Sequence, residues 1–221
     1  MARRQVIVAD DHPLFREALS LALRQALGEV EVAQAGDMAE LQRVTTAHES
    51  ADLVLLDLHM PGVQGFSALV YLRAHHPELP VCVVSANNNS VVVQRALDHG
   101  AAAFIHKSAS VDEIRVALET VLAGDIWQPA DSDVSGSAGD ELAVAERLGE
   151  LTPQQFRVLM MLADGLLNKQ IAYELGISEA TVKAHMTAIF RKLEVSNRTQ
   201  AVLTLNQLAV ESPDQAASGF S

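Results

Sequence analysis

Apolar and polar positions follow two different rhythms along the chain. Up to Gly124, short aliphatic runs alternate with longer stretches whose apolar residues recur every three or four positions. The runs Gln5–Asp10, Val30–Ala35, Leu53–Asp57, Val81–Ser85 and Ala102–His106 predict strands. The stretches Pro13–Leu27, Met38–His48, Phe66–His75, Ser90–His99 and Val111–Ala123 predict amphipathic helices. The strand runs are continuously aliphatic instead of alternating, as expected of strands buried on both faces. Five strand–helix alternations then predict an α/β domain, a five-stranded parallel sheet of the flavodoxin-like, doubly wound kind. Beyond Gly124 the rhythm stops. Asp131–Asp140 is small and polar without an apolar period, which predicts a flexible linker, and a short polar amphipathic helix is expected from Leu142. From Thr152 the pattern is helical only. Thr152 is placed to cap a helix, with Pro153 at its first position and Gln155 at its third. The expected organisation is an α/β domain over 1–124, a linker over 125–150, an all-α four-helix domain over 151–211 and a disordered tail over 212–221.

A chain of 221 residues suits two domains, and 49% hydrophobic residues suffice for ordinary cores. No apolar run reaches the length of a membrane span, and Val6–Ala9 is too short for a signal peptide, so a cytoplasmic protein is expected. The single cysteine, Cys82, sits in an aliphatic run and is expected in the core. A net charge of −12 argues against nucleic acid until its distribution is considered. Residues 1–126 carry 9 basic and 16 acidic residues, and 127–150 carry 1 and 6. Residues 151–205, with 6 and 4, form the one net positive segment.

In an open parallel sheet, ligands bind at the carboxyl ends of the strands. Asp10 and Asp11 end the first strand, Asp57 the third, Ser85 the fourth, and Lys107 follows the fifth. Three clustered carboxylates repel one another unless a cation neutralises them. Mg²⁺ suits such a site, because it takes oxygen ligands and keeps waters that phosphate oxygens can replace.

Val8-Ala9-Asp10-Asp11-His12, Leu55-Leu56-Asp57-Leu58-His59-Met60-Pro61-Gly62, Val84-Ser85-Ala86 and Gly100 to Ser108 together resemble the receiver domain of two-component signalling. The likeness covers roughly residues 4–123. It implies that Asp57 accepts a phosphoryl group from a sensor histidine kinase. It also implies that Asp11, Asp57 and the backbone carbonyl of His59 hold Mg²⁺, with Asp10 acting through water. Lys107 would contact the acyl phosphate, Ser85 would turn to hydrogen-bond it, and Phe104 would rotate inward as the switch residue. His59 and Asn87 flank this pocket.

In the positive segment, Ile171–Leu175 predicts a short helix ended by Gly176, and Ser178 can cap the next. Two helices across a tight glycine turn predict a helix-turn-helix. Val182, Met186, Ile189 and Leu193 form one apolar stripe on the second helix. Lys183, Ala184, Thr187 and Arg191 fall on another face, small, polar or basic, which suits a major groove. The segment resembles the LuxR-type helix-turn-helix of the NarL–FixJ class. The resemblance implies base contacts by Lys183, Ala184 and Thr187; Thr181 and Arg191 are also expected at DNA, and the charges of Lys169, Lys192 and Arg198 suit them to neutralise phosphates. It also implies pairing of two copies on double-stranded promoter DNA through a last helix containing Ala201, Leu205 and Leu208. Gln154-Gln155 replaces the Arg-Glu usual in that class, and Leu167 replaces Ser or Thr.

The expected function is a DNA-binding transcriptional regulator, not an enzyme, that works as a homodimer and is controlled by phosphorylation of Asp57. Phosphorylation would free the linker, relieving a masking of the DNA-binding helix by the receiver, or would form the dimer, so that this helix can reach DNA. A regulator that binds DNA without phosphorylation is the alternative. A phosphatase with an aspartate nucleophile would need a substrate cap, and no insertion interrupts the receiver pattern.

Overall fold

A computed structural model describes residues 4–87, 89–129 and 139–210. The predicted linker Asp131–Asp140 falls largely outside the described residues, and the predicted tail wholly so. The N-terminal part contains strands β1 (Arg4–Ala9), β2 (Val30–Ala35), β3 (Leu53–Asp57), β4 (Val81–Ser85) and β5 (Ala103–His106). Helices α1 (Pro13–Leu27), α2 (Met38–Ala47), α3 (Ser67–His75), α4 (Ser90–Asp98) and α5 (Val111–Leu122) alternate with them. The strands form one parallel sheet in the order β2-β1-β3-β4-β5. Chain direction across the sheet therefore reverses between β1 and β3, and the crevice at that point faces the ends of both strands.

Each face of the sheet has its own core. Val6, Val8, Leu53, Leu55, Cys82 and Val84 pack beneath α1 and α5 with Leu19, Leu23, Ala117 and Leu118. Ile7, Val54, Leu56, Val81 and Val83 pack beneath α2, α3 and α4 with Leu41, Leu69 and Val93. This alternation along each strand explains the unbroken aliphatic runs. Cys82 is fully buried, and burial pushes its thiol up to about 12. The thiol should therefore stay unmodified by a thiol-specific reagent at neutral pH in native protein and react only on unfolding. Fast modification of native protein, followed by absorbance, would contradict this burial.

The exposed edge of β5 is capped by the chain that follows α5. Trp127 N–H donates to the Ala102 carbonyl at 3.0 Å, and Phe104 N–H donates to the Trp127 carbonyl at 3.3 Å. These bonds satisfy edge groups that would otherwise be open to another strand.

The C-terminal part is helical throughout: α6 (Gly139–Gly149), α7 (Pro153–Ala163), α8 (Asn168–Leu175), α9 (Glu179–Lys192) and α10 (Arg198–Asn206). Thr152 caps α7 with the reciprocal Gln155 bond that the sequence predicts. Leu167 offers no hydroxyl to α8, and the Gln170 side chain supplies half of the missing cap by accepting from Leu167 N–H at 2.8 Å. Gly176 adopts φ 64°, the left-handed conformation that ends α8.

Within the predicted 125–150 linker, the short helix expected from Leu142 is present as α6 and is docked on the receiver. Helix α6 buries Val144 and Leu148 and packs along α3, because these two residues, spaced i and i+4, form an apolar stripe. The effector helices continue this joint. Phe156 of α7 is fully buried with its ring 5.1 Å from that of Tyr71 on α3. His75 Nε2 donates to the Leu151 carbonyl at 2.9 Å, and Phe66 N–H donates to the Leu208 carbonyl at 3.0 Å.

Candidate functional site

The carboxyl ends of β1, β3 and β5 bring the predicted acidic residues and lysine together. Asp10 and Asp57 are buried, and Asp11 is half-buried. Lys107 Nζ lies 2.6 Å from Asp10 Oδ2 and 2.9 Å from Asp57 Oδ2, bridging the two strand ends. Burial pushes the Asp57 carboxyl above its ordinary value, and the Lys107 hydrogen bond and charge act against that. Burial alone would lower the Lys107 ammonium, but its bonds to Asp10 and Asp57 outweigh that and raise it. The pair is thus an ion pair whose charged forms depend on each other.

Asp57 Oδ1 is buried without a hydrogen-bond partner. Asp10, Asp11, His12 and Asp57 each offer a ligand atom within 4.8 Å of the others. A buried carboxylate oxygen left open beside two more carboxylates is the donor set that a hard divalent cation uses. The acidic cluster is therefore compatible with Mg²⁺. His12, which sequence reasoning left out of the metal set, sits with Nδ1 2.6 Å from Asp11 Oδ1, although without hydrogen-bonding angles. Its place directly after the acidic pair was the available signal.

Ser85 is fully buried at the end of β4, and its Oγ accepts from Asn87 N–H at 3.1 Å. Phe104 is fully buried in the α2–α3–α4 core. His59 Nδ1 stands 4.0 Å from Asp57 Oδ1, so the side chain borders the pocket as well as the carbonyl named from sequence.

In the helical part, Ser178 Oγ accepts from Thr181 N–H at 3.1 Å and starts α9. Val182, Ile189 and Leu193 are buried, and Met186 is half-buried, as the apolar stripe predicts. Thr181, Lys183, Ala184, Thr187 and Arg191 are exposed, and so is Lys169 on α8. The resting-state masking expected from sequence is not what the fold shows. The receiver packs on α6, α7 and the segment after α10, and leaves those side chains exposed.

Two cations expected at phosphates are engaged inside the domain instead. Lys192 Nζ donates to the Glu150 carbonyl at 2.7 Å and to Gln155 Oε1 at 2.9 Å. Arg198 donates to the carbonyls of Leu162 and Leu166 at 3.0 and 2.9 Å. Both tie helix ends together, where orphan carbonyls attract cations. Gln155 also resolves the departure noted in the sequence: its amide oxygen receives Lys192 where a carboxylate would have formed an ion pair.

Residues 6–119 match the family described as the response regulator receiver domain, and residues 149–205 match the luxR family of bacterial regulatory proteins. The chain belongs to the NarL–FixJ class of two-component response regulators. This response regulator is 40% identical over 211 residues to the glycerol metabolism activator of Pseudomonas putida, covering 92% of this chain and 96% of the relative. It is 34% identical to a probable transcriptional regulatory protein NarL of Mycobacterium tuberculosis, covering 90% and 91%. Among solved structures, RcsB from Salmonella enterica serovar Typhimurium, bound to promoter DNA in the presence of phosphomimetic BeF3⁻, aligns with a TM-score of 0.55. That match is 25% identical and covers 94% of this chain and all of the RcsB chain. The response regulator thus joins a receiver to a DNA-binding helix-turn-helix and acts in transcription regulation under the phosphorylation control typical of its class. No helix among its described residues is long and apolar enough to cross a membrane.

Proposed function

We propose that Asp57 is the phosphoacceptor, that a histidine kinase supplies the phosphoryl group, and that α9 reads promoter DNA as part of a homodimer. The observation that carries this reading is Lys107 bridging Asp10 and Asp57 beneath an unpartnered Asp57 oxygen. One carboxylate oxygen of Asp57 would attack the phosphorus of a phosphohistidine, leaving the other for the cation. A P–O bond forms as the P–N bond breaks, and the imidazole nitrogen leaves with the electron pair. Lys107 stabilises charge on the phosphoryl oxygens, and Ser85 can rotate its hydroxyl from Asn87 N–H toward the acyl phosphate. Mg²⁺, held by Asp11, Asp57 and the His59 carbonyl, with Asp10 through water, would supply the remaining charge neutralisation. Phosphoryl transfer needs this positioning and electrostatics more than covalent help.

On DNA, Lys183, Ala184 and Thr187 would meet base edges, with Thr181, Lys169 and Arg191 beside them. RcsB's capture on promoter DNA with a phosphomimetic supports the coupling of both halves. The same composition favours a regulator over an enzyme, and a cytoplasmic one. DNA affinity is measured for the wild type and for Asp57→Ala, each with and without a small phosphodonor. The wild type alone should tighten, by about tenfold for a coupling of ordinary size. Equal affinity in all four conditions would rule out the phosphorylation switch and leave a constitutive DNA-binding dimer.

A further inference from the structure

We infer that Arg95 is a clasp that holds this regulator closed, and that closure restrains DNA binding by immobilising the end of α10 while the recognition face stays open. The inference deepens the reading above and rests on it for the meaning of DNA affinity.

One guanidinium gathers three elements. Arg95 lies on α4, and its Nε and Nη2 donate to both carboxylate oxygens of Glu141 on α6 at 2.8–3.0 Å. The same Nη2 donates to the carbonyls of Gln207 and Ala209, just beyond α10, at 3.0 and 3.2 Å. The guanidinium also stands 4.9 Å from the centre of the Phe66 ring. His99, just after the end of α4, donates from Nε2 to Glu141 Oε1 at 2.7 Å. The Glu141 side chain is only 13% exposed and that of Arg95 21%, so solvent screens this joint less than a surface pair. A planar fork holds a carboxylate through Nε and Nη2 while Nη2 also meets the carbonyls, which a lysine cannot reproduce.

An uncharged contact reinforces the same point. The Leu208 carbonyl accepts from Phe66 N–H, and a Cβ on Gly65 would lie 2.0 Å from that carbonyl oxygen. Position 65 is therefore open to the terminal segment only as glycine. Three successive carbonyls after α10 are thus bound to the receiver.

The geometry also supplies a route of release. Ser85 ends β4, and α4 begins five residues later at Ser90. A change at Ser85 on phosphorylation would shift α4 and move Arg95 and His99 together. Loss of the clasp frees α6 and the end of α10 at once, so that α10 can meet a second copy on two-fold DNA.

The test uses the full-length chain. Small-angle scattering and DNA affinity without phosphodonor are measured for Arg95→Ala, Arg95→Lys, Glu141→Gln and Gly65→Ala, with circular dichroism to verify folding. Arg95→Ala and Gly65→Ala should enlarge the radius of gyration. Their unprimed DNA affinity should rise by about tenfold, a coupling of ordinary size, toward that of phosphodonor-treated wild type. Glu141→Gln and Arg95→Lys should fall between. Gly65→Ala removes no charge, so a response shared with Arg95→Ala cannot come from a lost ion pair alone. The proposal is overturned if folded variants stay compact, or if they open without any gain in DNA affinity. Should the wild type ignore the phosphodonor while the variants still expand and bind DNA more tightly, the phosphorylation reading fails and the clasp stands.

Discussion

The Asp57→Asn variant should take no phosphoryl group from a small phosphodonor, yet fold at least as stably as the wild type without Mg²⁺. Asparagine keeps the size of the side chain and removes the nucleophilic oxygen. Loss of acceptance should therefore be complete and not graded, since among the described residues only Asp10 also places a buried carboxylate against Lys107. The stability half follows from the electrostatics. Burial disfavours a charged Asp57, and Asp10 repels it, while one Lys107 must serve both carboxylates. Removing one leaves a matched Lys107–Asp10 pair, and relief of like-charge repulsion in such a site is on the order of 1 kcal/mol. Intact-mass spectrometry reads the phosphoryl group, and thermal unfolding reads stability with and without Mg²⁺. The wild type should gain stability from Mg²⁺ and the variant should gain much less. Wild-type phosphorylation of the variant would place the acceptor elsewhere. A large loss of stability would mean that Asp57 is held for structure.

Most of the fold and the gathering of Asp10, Asp11, Asp57 and Lys107 in one pocket are legible in the sequence because both depend on local order. The strands are short aliphatic runs, and their ends carry the polar residues, so pattern and chemistry mark the same positions. Each predicted strand lies within one residue of an observed one. Helix α9 is equally legible, since its cap and its stripe lie within one element. What the sequence does not reveal are partnerships made across the fold. Arg95 and Glu141 are 46 residues apart, and Arg95 and Gln207 are 112 apart. Neither distance leaves a periodic trace. Lys192 and Arg198 illustrate the same limit at the DNA-binding end. A basic residue near a recognition helix reads the same whether it points at phosphate or at a neighbouring helix end, and only the packed domain distinguishes them. Helix α6 was visible as an amphipathic piece, but its partner α3 was not.

The second large effect is expected at Phe156. Replacing it with alanine should unfold the effector helices and abolish DNA binding while the receiver continues to form its Mg²⁺–beryllofluoride complex. Phe156 is fully buried, and truncating such a ring costs roughly 3–5 kcal/mol. A domain of some sixty residues has a small core and little stability to spare, so that loss is a large share of its total. The buried cluster is continuous from Leu41 and Leu69 of the receiver to Leu159 and Ile171 of the effector, which raises the question whether both domains fail together. Magnitudes decide against that. The receiver loses one tilted aromatic contact at Tyr71, worth about 0.5–1.5 kcal/mol beyond area. It keeps the whole second core beneath α1 and α5, where Leu23, Leu55, Cys82 and Leu118 have no part in the joint. Its sheet ladders are likewise untouched. Calorimetry of the variant should show the effector transition displaced to low temperature and the receiver transition nearly in place. Beryllofluoride should still shift the receiver transition upward. A single transition displaced as a whole would mean instead that the joint welds the domains into one cooperative unit, and release by phosphorylation would then have to overcome the stability of the entire chain.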